Sequence, residues 1–405
     1  MGPRALVILA LCSVPSNAFA AGFAVAEQGA SAQGVAGAAT ARADLAETAW
    51  YNPAALGAGP VAAVGVNIIV PSIRHTDPAS GLVTSAESGA ETPPWIHLGH
   101  VYGLGNQRFG LVAVANVPFG AGLHWPEDWS GRFEVTAIAL QVFEVSANAV
   151  YGIELGEDVE LGAGFQFRLM RSTVELHRKI DVVNDEAAVA LGGAAPGKGF
   201  GGSAFARVHA LSLGANFRSA AALEYTGAAH FEDVPIELSG AAHDQAVTTA
   251  VTLPERLAVG ACYDLGFGAP SVDFEYFRWS RFQTFGIDFE DDATPDVAEP
   301  RNWHDTVTFR AGYEHRLLDR RLAVRAGFAY DPIPSPSETI GPTLPDSSRV
   351  VATVGAGYAF GFGVHLDAAF GHVALLGSES TGDDVFPGRY GGSAEIVSIG
   401  ASFRR

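Results

Sequence analysis

The reactive side chains of this chain are numerous but poorly grouped for chemistry. Twelve histidines and 44 carboxylates are scattered over 405 residues. The closest histidines, His97 and His100, stand three apart in the alternating run WIHLGHVYGL. On a strand that spacing turns them to opposite faces, so they cannot share a metal ion. No Gly-x-Ser-x-Gly or comparable grouping places a nucleophile beside a base. Cys12 lies in the N-terminal apolar run, which leaves Cys262 alone in the remainder and no internal disulfide to form. These residues predict neither an enzyme nor a resident metal or cofactor. A net charge of −19 also argues against nucleic acid, which demands clustered cations. Acidic runs such as Glu290-Asp291-Asp292 read as solvated loop.

The elements follow from a period of two. Residues 306–330 read TVTFRAGYEHRLLDRRLAVRAGFAY. Val307, Phe309, Ala311 and Tyr313 share one face; Thr308, Arg310 and Glu314 share the other. After a polar turn at 318–321, Leu322, Val324, Ala326, Phe328 and Tyr330 again face one way. This is an antiparallel hairpin with one apolar face. The pattern recurs from Val61 to the C-terminus, with aromatics near the strand ends and turns alternately short and long. It predicts an all-β transmembrane antiparallel barrel of about 14 strands whose apolar face meets lipid. Residues 181–202, with glycines at 192, 193, 197 and 199, and residues 231–251 are expected to be loops. A further long loop, VPFGAGLHWPEDWSGRFE, carries Phe119, Trp125 and Trp129.

The N-terminus differs. Arg4, the apolar stretch 5–12 and Ala18-Phe19-Ala20 form a secretory signal peptide over residues 1–20. Residues 21–60 alternate poorly and are dominated by Ala and Gly, up to Asn52-Pro53-Ala54. Such a segment packs compactly but pairs badly as a strand. It is expected to be a hatch inside the lumen, with residues 61–405 forming the barrel.

Several stretches resemble the FadL/TodX family of outer-membrane transporters for long-chain fatty acids and aromatic hydrocarbons. They are WYNPAAL at 50–56, VPFG with WPEDWSGRF between 117 and 133, and TLPERLAVGACY at 252–263. FEYFRWSRF at 274–282, WHDTVTFRAGYEHRL at 303–317 and AYDPIPSPSETIGPTLPDSSR at 329–349 follow in family order. The resemblance implies a plugged fourteen-stranded barrel in the Gram-negative outer membrane. Asn52, Pro53 and Ala54 would mark its hatch. It implies uptake of long-chain fatty acids through a ligand-gated lateral opening, or, alternatively, of aromatic and other neutral hydrocarbons. By the same resemblance Arg171 and His304 are the carboxylate contacts, and Phe119, Trp125 and Trp129 are the apolar ones. Expected partners are the hydrophobic ligand, outer-membrane lipid and lipopolysaccharide, around a monomeric protein. The wall opening is expected at 109–122, where Pro118 and Gly120 interrupt pairing.

Overall fold

The computed structural model describes residues 22–403, apart from 88, 183–184, 237 and 383–384. The expected signal peptide therefore lies outside the described residues. Fourteen staves close into one antiparallel barrel. The first six are β1 Gly59–Thr76, β2 Pro94–Leu104, β3 Gln107–His124, β4 Ala137–Leu155, β5 Val159–Val182 and β6 Asp185–Val208. Three staves are interrupted midway: β7 (Leu211–Arg218, Ala221–Glu232), β8 (Gln245–Leu253, Arg256–Tyr263) and β9 (Gly268–Phe277, Thr284–Phe289). The last five are β10 Thr306–Leu317, β11 Leu322–Asp331, β12 Arg349–Ala359, β13 Val364–Glu379 and β14 Arg389–Phe403. Closure comes from β14 on β1, in register from Ala62↔Phe403 to Thr76↔Arg389. Short strands Val83–Ser85 and Val297–Pro300 lie in loops and pair with β1 and β9.

Turns 105–106, 156–158, 209–210, 264–267, 318–321 and 360–363 gather at one end, the periplasmic one by their shortness. The longer loops gather at the other. Residues 181–182 and 185–202, expected as loop, are strand instead. β5 and β6 stay in unbroken register from Val159↔Val208 to Val182↔Asp185. Pairing on the β5 side overrides the poor strand propensity of the glycines, as tertiary context commonly does. The loop expected over 231–251 likewise ends early, because Gln245–Leu253 pairs with Ala221–Glu232.

The barrel is inside out relative to a soluble protein. Val64, Leu98, Leu111, Phe165, Phe167, Phe274, Phe328 and Phe370 are exposed on its outer face. Asn67, His97, Asn148, Gln166, Arg168, Asn216, Asp273 and Arg310 are buried within. Apolar-out, polar-in alternation is what a bilayer requires of a closed sheet.

The polar lining needs partners, and residues 22–58 supply them. This segment folds into α1 Ala30–Gln33, α2 Thr48–Tyr51 and one turn of 3₁₀ helix over Pro53–Ala55, nearly all buried. Staves around the lumen bond its backbone. Asn67 on β1 donates to Glu27 O (2.7 Å), Arg108 on β3 to Leu56 O (2.7 Å) and Asn216 on β7 to Tyr51 O (2.8 Å). Asp273 on β9 accepts from the amides of Ala39 (2.9 Å) and Thr40 (2.8 Å). Arg310 on β10 donates to Ala36 O (3.1 Å). Buried peptide groups cost free energy unless paired, so these side chains hold the segment in place. At the periplasmic end Arg42 pairs with Asp44 (2.7 Å) and Glu314 (3.1 Å), and Arg316 reaches Asp44 (3.0 Å). Burial disfavours the Arg42 charge, but Asp44 and Glu314 outweigh it and hold its pKa above the ordinary value.

Candidate functional site

Above the hatch lies a cavity with two unlike sides. Ala24, Val25, Pro118, Phe119, Phe277 and Pro254 line one. Five arginines, Arg168, Arg218, Arg256, Arg310 and Arg349, reach it from five different staves. Among the described residues Glu144, Glu275 and Asp331 pair with them. Arg168 and Arg218 share Glu144, at 2.7 and 3.1 Å. Arg256 and Arg310 share Glu275, and Arg349 pairs with Asp331. Each shared carboxylate thus faces two guanidinium groups, and the buried carboxylate of Asp273 is a further neighbour of Arg256 and Arg310. Arg218 also lies flat on the hatch, its guanidinium carbon 3.3 Å from the Trp50 ring centroid. That contact ties the arginine group to α2.

The apolar side runs outward from Phe119. Phe23, Phe119, Trp279, Phe282 and Trp303 meet edge-on or tilted, with ring centroids 4.9–6.4 Å apart. A second hollow sits nearer the loops. Val174, Leu176, Leu191, Tyr225, Val247, Phe285 and Ile287 line it, and Gly192, Gly193 and Gly227 open the space. Almost nothing polar faces it, so it suits a hydrocarbon. Loop 332–348 caps the region. Its Asp346 carboxylate accepts from Gly22 N (3.2 Å), Ser335 Oγ (3.1 Å) and Ser347 N (2.8 Å). Burial pushes the Asp346 carboxyl up to about 7.

The expected site residues separate. Phe119 lines the cavity. Trp125 and Trp129 are buried and stacked, centroids 4.5 Å apart at 14°, in a cluster with His75 further outward. Their indole nitrogens donate to Pro342 O (3.2 Å) and Val135 O (2.9 Å), so they fasten loops. Arg171 and His304 do not enter the lumen; both are exposed. Arg171 follows Phe165, Phe167 and Leu169 on the outward face, and β5 has no bulge to turn it inward. The arginine that strand parity puts inside is Arg168, which the resemblance did not point to. Asn52 is fully buried, its amide donating to Thr40 O (2.8 Å) and Ala204 O (3.0 Å). Its Oδ1 caps the 3₁₀ turn by accepting from Ala54 N (3.2 Å). Gly162 on β5 makes room for this turn: a Cβ there would stand 2.1 Å from Ala54 O.

The wall is irregular where expected. β3 shifts register between Asn116 and Phe119, and β2 pairs with it only up to Ile96↔Ala115. Beyond that point hatch residues replace β2: Val25 N donates to Pro118 O and Gly120 N to Phe23 O, each at 2.9 Å. Residues 116–123 are buried throughout, so upper β3 runs inside the wall line. Glu87 N donates to His124 O (2.6 Å), while Ala86 N and Glu91 N donate to Ile73 O (2.9 Å) and Ile69 O (2.8 Å) of β1, so the connection between β1 and β2 bonds both edges of the interval.

A closed fourteen-stranded barrel, apolar outside and filled by its own N-terminal segment, defines an outer-membrane protein. Residues 11–404 match the family described as outer membrane protein transport protein (OMPP1/FadL/TodX), and the chain belongs to it. It is similar to a FadL homologue of Pseudomonas aeruginosa, with TM-score 0.79 and 18% identity, covering 95% of this chain and 99% of that one. The toluene transporter TodX of Pseudomonas putida gives TM-score 0.69 and 15% identity over 92% and 97%. A 47 kDa outer membrane protein of Pasteurella multocida is 23% identical over 439 residues, 99% of this chain and 98% of that protein. The protein therefore resides in the outer membrane and transports hydrophobic compounds.

Proposed function

We propose that this protein takes up long-chain fatty acids as a monomer and passes them sideways into the bilayer. The observation that carries the reading is the arginine group at one end of an apolar cavity. Arg168 and Arg218, which share Glu144, and Arg256 and Arg310, which share Glu275, offer donors to one anionic head, while the aromatic side takes the chain. Each methylene kept out of water contributes about 0.8 kcal/mol, which an axial exit to the periplasm would forfeit. The register shift in β3 supports a wall exit instead, with the hatch residues at Phe23–Val25 able to respond to a ligand beside them. A second reading, a neutral or aromatic hydrocarbon as substrate, draws support from the outer hollow with its lack of polar lining.

Binding to the variant Arg256→Gln separates the two. Glu275 keeps Arg310 as its partner at 3.1 Å, so no buried carboxylate is orphaned. A charged hydrogen bond contributes roughly 1.5–3 kcal/mol, so oleate affinity should fall about tenfold or more while toluene affinity stays level. Unchanged oleate binding together with tight toluene binding would favour the hydrocarbon reading.

A further inference from the structure

The outward face of β5 carries Leu161, Ala163, Phe165, Phe167 and Leu169, then Arg171. The outward face of β6, read in the same direction, carries Val208, Ala206, Ala204, Gly202 and Phe200, then Lys198. At about 3.3 Å per residue and the usual tilt, each apolar run rises roughly 20 Å, close to the height of a barrel's lipid-facing band. Two neighbouring staves thus end that band at the same level, each with a cation. The level is the outer interface, since both runs begin at the periplasmic turns 156–158 and 209–210.

The ladder sets the two cations side by side. Arg171 pairs with Pro196 and Leu169 with Lys198, so Arg171 and Lys198 are diagonal neighbours. Such neighbours stand about 7–8 Å apart at the backbone, a gap two long side chains can close around one anion. Both are exposed, and among the described residues neither side chain has a hydrogen bond or ion pair. Thr173 continues the outward row on β5, and Glu175 comes only after it. Glu224, on β7, stands across a break: β6 pairs with β7 below Gly201 and above Ala194, and between them only Phe200 is bonded, to Ser219. Lysine is rare here, occurring only at 179 and 198. One of the two faces lipid.

We propose that Arg171 and Lys198 clamp a phosphate of an outer-leaflet glycolipid against the barrel wall. Phosphate geometry suits an arginine fork backed by a lysine point charge. The acyl chains of the same lipid lie along Phe165, Phe167, Leu169 and Phe200, directly beneath. Continuity between the cation pair and the apolar band is what selects a membrane lipid over a soluble anion, which would gain nothing from those rings.

Native mass spectrometry of the detergent-purified protein with lipopolysaccharide carrying two lipid A phosphates tests this. Wild type should retain one lipid. Arg171→Gln and Lys198→Gln should each weaken it about tenfold, and the double variant more. Lys198→Arg should bind like wild type. Arg74→Gln, which removes an exposed outward cation on β1, should also bind like wild type. Heat-modifiable mobility on gels confirms that every variant is folded, as outward glutamines in an intact ladder should allow. Dephosphorylated lipopolysaccharide should bind no better to wild type than to the double variant. Equal retention by wild type and double variant, or full retention of the dephosphorylated lipid, overturns the proposal. So does displacement by inorganic phosphate at equal concentration, which would mark an unspecific anion site.

Discussion

Asp346 is the residue whose charge the fold controls most directly outside the strands. Its carboxyl is buried in loop 332–348, and burial raises its pKa from 3.8 to about 7. An unfolded chain ionises it freely from about pH 4, whereas the folded protein keeps the proton until about 7. The folded state therefore binds the extra proton across that window. The associated stability is present below about pH 4 and is lost as pH rises through 7, at most roughly 4 kcal/mol. Because Asp346 holds Gly22 N and Ser335 Oγ, the loss should appear locally. Amide exchange in 332–348 should quicken between pH 5 and 8 beyond its intrinsic base catalysis, and Asp346→Asn should abolish the excess. An Asn variant with the same pH response would refute the assignment. Residue-level legibility was uneven. Strand parity alone separated Arg168 from Arg171 correctly, while resemblance favoured the outward one. The arginine group itself was illegible, because its members are far apart in the chain and meet only when five staves curve around one cavity.

At the scale of elements, alternation did most of the predictive work. The hairpin read from residues 306–330 is β10–β11, with Val307, Val324 and Phe328 exposed and Arg310, Glu314 and Arg325 buried. Glycine-rich β6 escaped notice because its strand character comes from the neighbour it pairs with and not from its own composition. The irregular part of β3 was legible from Pro118, whose missing N–H cannot join a ladder. What Pro118 could not reveal is that hatch residues take over the vacated pairing and that the connection between β1 and β2 bonds both edges of the interval. That arrangement makes the exit testable. Cysteines at Glu87 and His124, in a Cys262→Ala background, join the loop to upper β3 where their backbones already bond at 2.6 Å. Oxidation should stop oleate uptake into liposomes, leave oleate binding unchanged, and be reversed by reductant. Undiminished uptake by the oxidised protein would exclude an exit beneath that loop.

For the whole molecule, the sequence announced an inside-out barrel, since alternating segments recur from Val61 onward with long loops between them and no stretch reads as a membrane helix. It gave no hint that the wall changes character partway up. Staves β7, β8 and β9 break in succession, at 219–220, 254–255 and 278–283. The breaks lie beside Arg218, Arg256 and Phe277, at the level of the cavity. Mechanically, they form a crease. Below it the sheet is braced from within by the hatch and by paired charges, so it is stiff. Above it, Ala221–Glu232, Gln245–Leu253 and Thr284–Phe289 are bonded chiefly to one another and to the outer half of β6. The expectation is that this panel moves as a unit relative to the braced half. Its amides should exchange together and faster than those of Leu211–Arg218 and Arg256–Tyr263, and a single shared rate across the crease would show a uniform wall. A panel moving in this way would let a bulky, flexible guest enter from outside by local bending, with residues 22–58 still bonded to the lower staves.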